Sequence, residues 1–203
     1  MWAMQYTIWS YYAGFVWMEA CMIASGLSYS VAADGTVEYN SLRAVSIWNI
    51  TKCYELVTYL RYWNISIHNW LKYYVMIRLM DKSKKGPGLF ASITTFAVSA
   101  CWHGLAPGLF LFSYGCFALT AIYPKFANTS LPAILPPFLW KAISFCFTHF
   151  MVSIFGMSFV WKFHYRYIMM HRAFYHYPMI VLTAVLALSF VLPQKSKKTT
   201  KTD

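Results

Sequence analysis

Six apolar runs, separated by short charged or proline-rich connections, constrain this chain more than any other feature. They cover roughly residues 6–27, 54–80, 89–102, 108–123, 138–162 and 177–192. A helix that crosses a bilayer needs about 20 predominantly apolar residues, with a range of about 17–25. The first and fifth runs meet that length cleanly. The others are short or interrupted by polar residues, and such segments are expected to be tilted, re-entrant or packed inside a bundle, where irregular backbone is shielded from lipid. The expected fold class is all-α: a polytopic transmembrane helix bundle over residues 1–192, with a basic cytoplasmic tail over 193–203 (PQKSKKTTKTD).

Composition supports this and excludes other classes. Apolar residues make up 59% of the chain and charged residues 11%, with a mean hydropathy of +0.45. Soluble domains average about 45–50% apolar and about 25% charged, so the surplus apolar surface must face lipid. The formal net charge of +11 would raise nucleic acid as a partner in a soluble chain. Here the lysines cluster beside apolar runs, as in Lys82, Lys84 and Lys85 and again in Lys195, Lys197, Lys198 and Lys201. That is the pattern of cytoplasmic membrane loops, and no nucleic-acid partner is expected. The five cysteines are widely spaced, with no metal-binding spacing, and read as small buried thiols. Met1 leads straight into apolar and aromatic residues without a basic region, unlike a secretory signal.

The connections carry ordinary punctuation. DKSKKGPG at 81–88 is a charged turn, 124–137 is a proline-rich loop, 33–49 is the most polar internal stretch and reads as an interfacial loop, and 161–176 reads as an interfacial helix. If the tail is cytoplasmic and the last four runs cross, nine lysines fall on the cytoplasmic side against Lys162, Arg166 and Arg172 on the far side. The asymmetry favours that orientation.

Polar residues inside apolar runs are functional candidates by default, because an unpaired one costs several kcal/mol in hydrocarbon. Asn64 follows Trp63 in WNISIHNWL, His103 ends the third run in SACWHG, and Thr148-His149 interrupts the fifth. Asn64 lies sixteen residues before Met80, and His103 fourteen after Leu89, on either side of the 81–88 turn. Two antiparallel helical arms rising about 1.5 Å per residue would bring them to depths differing by only about 3 Å. A neutral His is the usual general base near neutral pH, and an Asn amide can donate to a carbonyl oxygen as charge develops on it. Base plus carbonyl clamp suits acyl transfer to a hydroxyl. Against this, His103 alone could be an interfacial residue bonded to backbone, and Asn64 alone could join helices. His149 reads as a core histidine, with only Thr148 and Ser153 as nearby polar partners.

Arg61, Asn64, His68 and Lys72 fall at i, i+3, i+7 and i+11, one face of a helix. The stripe would either line a hydrated passage for the phosphates of an acyl carrier or lie at the interface with its charges snorkelling. Glu19, within WMEACMIASG, reads as a structural hydrogen-bonding group rather than a catalytic acid. Asn49, Asn64 and Asn128 each begin a glycosylation sequon, but one inside a membrane segment is out of reach, and Asn128 is expected on the cytoplasmic side.

WNISIHNWLKYYV followed by SACWHGLAPG resembles the membrane-bound O-acyltransferase (MBOAT) family, whose motifs read WN(x)5WL and WHG(x)2-3G in its lysophospholipid-acylating branch. WMEACMIASGLSY and the last run with its lysine-rich tail are also similar to that branch. The resemblance puts the family's active-site Asn on Asn64 and its His on His103. It implies transfer of a fatty acyl group from acyl-CoA, as co-substrate, to the hydroxyl of a lysophospholipid in the endoplasmic reticulum membrane. Neither a metal nor a further cofactor is implied. Leu109 stands where many relatives have Tyr, and relatives are about twice as long, so residues 1–192 correspond to the C-terminal portion of an MBOAT-type membrane domain. The alternatives are a catalytically inactive truncated membrane protein or transporter, or an enzyme of the family acting on diacylglycerol, a sterol or a protein.

Overall fold

The computed structural model describes residues 2–39, 41–81, 86–129, 131–161, 165–173 and 175–193. Helix α1 (Trp2–Ala24) leads into an antiparallel hairpin, β1 (Ser30–Val31) against β2 (Val37–Glu38), with Val31 opposite Val37. Three short helices follow: α2 (Ile47–Lys52), α3 (Leu56–Tyr62) and α4 (Ile65–Trp70). The last runs through a π-helical turn at Leu71–Met76 into α5 (Ile77–Leu79). Then come α6 (Leu89–His103), α7 (Pro107–Ala127), α8 (Leu131–Ile134), α9 (Pro137–Val160), α10 (Arg166–Ala173) and α11 (Tyr177–Val191). The predicted all-α class is the observed one, the hairpin aside.

Helix α7 is the centre of the packing, with α6, α9, α11 and α3 against it, while α1 lies along α9. Beside large side chains such as Leu119 and Phe155, these helices bury many small and weakly polar residues. On α7 the buried positions include Ser113, Gly115 and Ala118, and on α9 Ser144, Thr148, Ser153, Gly156 and Ser158. Several large rings point the other way: Trp17 is 74% exposed and Phe138 73%. A soluble protein would bury those rings. In lipid no hydrophobic force drives helices together, so small residues that let backbones approach form the contacts. At Gly115 a Cβ would stand only 2.9 Å from the Cβ of Phe155 on α9, so the two helices meet where a side chain is missing. Further ties are polar: the Tyr114 and Thr183 hydroxyls hydrogen-bond at 2.6 Å between α7 and α11, and Thr148 of α9 donates to the Tyr54 carbonyl at 3.2 Å.

Several sequence expectations change. Residues 54–80 do not form one helix but α3, α4, the π turn and α5, broken at Trp63-Asn64. The fourth run is longer than its apolar stretch, because α7 continues through Pro124 and Lys125 to Ala127. The Lys125 ammonium is accommodated over the Phe190 ring of α11, 3.2 Å from its centroid. Helices α7 and α9 therefore have the length and apolarity to cross a bilayer; α1 has the length, at 23 residues, but its Gln, Ser, Glu and tyrosines lower its hydropathy. The polar stretch 33–49 is not wholly interfacial, since Ala44, Val45 and Ser46 are buried. Of the thiols only Cys53 and Cys116 are buried; Cys21, Cys101 and Cys146 are exposed on outer helix faces, where hydrocarbon serves as well as a core. Within 161–176 the chain forms helix α10 over Arg166–Ala173. Lys82, Lys84, Lys85, Lys162 and the tail beyond Pro193 lie outside the described residues.

Candidate acyl-transfer site

Asn64 occupies the break between α3 and α4. Helix α3 ends when Trp63, in extended backbone, closes its last turn by donating its N–H to the Tyr59 carbonyl at 3.0 Å. Asn64 then takes the left-handed conformation, φ 44° and ψ 63°, and its carbonyl accepts the His68 N–H at 3.0 Å to start α4. Outside glycine this conformation costs about 1–2 kcal/mol, and Asn tolerates it better than most residues. The break frees backbone groups that must be satisfied away from water. A neighbouring segment does this: the Ser46 N–H donates to the Tyr62 carbonyl at 3.0 Å, and the Ile65 N–H to the Ala44 carbonyl at 2.8 Å. That segment is itself held by Glu19, whose Oε1 accepts the N–H groups of Ala44 and Val45 at 2.5 and 3.1 Å. The structural role expected for Glu19 is the one it plays.

His103 is the last residue of α6. The helix stops because Gly104 adopts φ 130°, a backbone region open essentially to glycine, while its N–H still reaches the carbonyls of Ala100 and Cys101. Pro107 then opens α7 at its first position. Leu109 is 1% exposed, with its Cδ1 3.4 Å from where a Cβ on Gly104 would sit, so this position supports the turn from beneath. The half-buried imidazole meets the Trp102 ring at 4.6 Å between centroids and the Phe159 ring at 4.9 Å.

Rings connect the two motifs. Phe159 touches Tyr11 at 6.5 Å, and Tyr11 lies 5.8 Å from Trp63, the residue before Asn64. Trp63 is further enclosed by Tyr12 and Phe15 of α1 and by Tyr59. Helix α6 packs along the π turn and α5, so the two arms flanking the 81–88 turn lie side by side over residues 71–79.

The stripe of Arg61, Asn64, His68 and Lys72 is not one helical face, because the break interposes non-helical backbone after Arg61. The charges of Lys72 and Arg61 both act on His68, although the three no longer share one helical face. Lys72 also stands 5.0 Å from the Tyr73 ring centre. His149 belongs elsewhere. Its Nε2–H donates to the Cys53 carbonyl at 3.2 Å, and together with Thr148 it ties α9 to the turn between α2 and α3. The small cleft it lines, with Trp9, Tyr12 and Tyr59, includes neither Asn64 nor His103. Among the described residues no three His, Cys, Asp or Glu side chains converge on a possible metal position.

Sequence reasoning missed Phe159, Tyr11 and the 44–46 segment. Each lies far from Asn64 or His103 along the chain, and no local signal marks it.

This is a helical membrane protein in which Asn64 and His103 stand at the ends of helices. The model of the MBOAT, membrane-bound O-acyltransferase family, matches residues 1–163, and the chain belongs to that family. It is 30% identical to "Lysophospholipid acyltransferase 2" of Arabidopsis thaliana in an alignment covering 92% of this chain and 42% of the relative. With "Lysophospholipid acyltransferase" of Saccharomyces cerevisiae it shares 35% identity over 56% of the chain and 18% of the relative. It is also 27% identical to the membrane-bound ghrelin O-acyltransferase of Mus musculus over 71% of the chain and 32% of the relative. The chain thus spans under half the length of these curated relatives.

Proposed function

We propose that this chain carries the acyl-transfer centre of an enzyme of the endoplasmic reticulum membrane that moves a fatty acyl group from acyl-CoA to the free hydroxyl of a lysophospholipid. His103 is the general base. It takes the proton of the acceptor hydroxyl as that oxygen attacks the thioester carbonyl carbon. The Asn64 amide donates to the carbonyl oxygen while negative charge develops there. Collapse of the tetrahedral intermediate breaks the C–S bond, and the proton held on His103 passes to the departing thiolate. Arg61, His68 and Lys72 offer a basic surface for the phosphates of the donor or the lipid head group. The acyl chain needs no polar partner, and the ring-lined wall around His103 suits it.

The observation that carries this reading is the run of ring contacts from Trp63 through Tyr11 and Phe159 to His103, which links the two motifs. The similarity to lysophospholipid acyltransferases supports the choice of acceptor. The test is acyl-CoA incorporation into lysophospholipid by microsomes carrying the full chain. Loss of incorporation in His103→Ala is expected, and unchanged incorporation overturns the assignment. Transfer only to diacylglycerol, a sterol or a peptide would keep the chemistry and change the acceptor.

A further inference from the structure

Glu19 is an acid half-buried in α1, and the acyl-transfer reading gives it no task. Its contacts nevertheless lead to the centre of that reading. Oε1 accepts two consecutive backbone N–H groups, those of Ala44 and Val45. The next link is backbone: the Ala44 carbonyl accepts the N–H of Ile65, and the Ser46 N–H donates to the Tyr62 carbonyl. These last two bonds fall on either side of Trp63-Asn64 and bracket the left-handed turn. Arg43 adds a bond from its Nε to the Val45 carbonyl at 3.2 Å, which gathers the segment further. Ala44, Val45 and Ser46 are each 4% exposed or less, so water does not stand in for the carboxylate there.

We propose that Glu19 is a positioning residue for Asn64: its carboxylate anchors the 44–46 segment, and that segment's backbone holds the Asn64 turn in its left-handed form. The inference rests on the acyl-transfer reading, in which the Asn64 amide must meet the thioester carbonyl. Without the anchor, the N–H groups of Ala44 and Val45 lose their acceptor and the segment drifts. The turn then relaxes toward helical backbone, swinging the Asn64 side chain away from the carbonyl. The property required of residue 19 is an acceptor oxygen at the correct reach, not a negative charge. Glutamine supplies that oxygen. Aspartate keeps the charge but is one methylene short.

The experiment compares Glu19→Gln, Glu19→Asp, Glu19→Ala, Asn64→Ala and Glu19→Ala/Asn64→Ala in microsomes carrying the full chain, with kcat and KM measured for acyl-CoA and lysophospholipid. A displacement of a reacting group by about 1 Å can cost on the order of a hundredfold in rate. The expectation is that Glu19→Asp and Glu19→Ala lose about tenfold or more in kcat with little change in either KM, while Glu19→Gln stays within about threefold of the parent. In the Asn64→Ala background, Glu19→Ala should cost nothing further. Amide hydrogen exchange should rise in Glu19→Asp at residues 44–46 and 62–65 and stay constant in α7 and α9. A Glu19→Asp variant with parental kcat beside an inactive Asn64→Ala overturns the inference alone. So does a Glu19→Gln as inactive as Glu19→Asp, which would make the charge a requirement in addition to the reach. A fully active Asn64→Ala overturns the acyl-transfer reading itself.

Discussion

The imidazole of His103 stands edge-on against the ring of Phe159, with centroids 4.9 Å apart and planes at 89°. His103 ends α6 and Phe159 lies one residue before the end of α9, so two helices separated in the chain by α7 and α8 meet at the proposed base. Phe159 also contacts Phe112 of α7 at 5.2 Å, which fixes the ring from a third side. An aromatic pair of this kind contributes about 0.5–1.5 kcal/mol beyond its buried area. Phe159→Leu should therefore lower kcat by several-fold, up to about tenfold, with the protein still folded. His103→Ala should lose about 10²–10⁴-fold, the usual contribution of a general base. Steady-state acyl-CoA turnover in microsomes measures both, and equal losses in the two variants would contradict the base assignment.

Asn64 offers a separation of backbone from side chain. Glycine adopts φ 44° freely, whereas alanine there carries about 1–2 kcal/mol of strain. Asn64→Gly should match the parent in thermal stability in detergent and still lose about 10²–10³-fold in kcat, as expected when a donor to a developing oxyanion is removed. Asn64→Ala should lose as much activity and some stability as well. An active Asn64→Gly would show that only the turn matters.

Gly115→Ala places a methyl group against the Phe155 side chain, 2.9 Å from its Cβ, in the interface of α7 and α9. Overpacking of this kind costs about 1–3 kcal/mol. Thermal denaturation in detergent should report the loss, and the double variant Gly115→Ala/Phe155→Ala should not add a second full penalty. Additive losses would mean that the two positions are not in contact.

The orientation inferred from the basic residues puts Asn128, at the C-terminal end of α7, on the cytoplasmic side. Its sequon should remain unmodified when the full chain is expressed in a eukaryotic membrane. A glycan on Asn128, removed by an endoglycosidase with a shift in mobility, would invert the topology and place His103 on the cytoplasmic side.

The apolar runs announced the helices well because hydropathy is a local property: five of the six runs correspond to α1, α6, α7, α9 and α11 within a few residues. The sixth, 54–80, is the informative exception. It contains neither proline nor glycine, so nothing in its own residues announces the break at Trp63-Asn64. The break is sustained by bonds from Ala44 and Ser46, about twenty residues earlier in the chain.

The His103 site was readable for the opposite reason. Gly104 and Pro107 end one helix and start the next by their own backbone preferences, so the turn that exposes His103 is written in four adjacent residues. Hydrophobic run length, charge placement and the two Trp-led motifs thus suffice to give the helical membrane class and to nominate Asn64 and His103. The left-handed turn at Asn64, the anchoring of its bracket by Glu19 and the Phe159 contact on His103 came only from the folded molecule. Inside a bilayer every freed backbone group must find a partner within the protein, and that partner is chosen by proximity in space rather than along the chain.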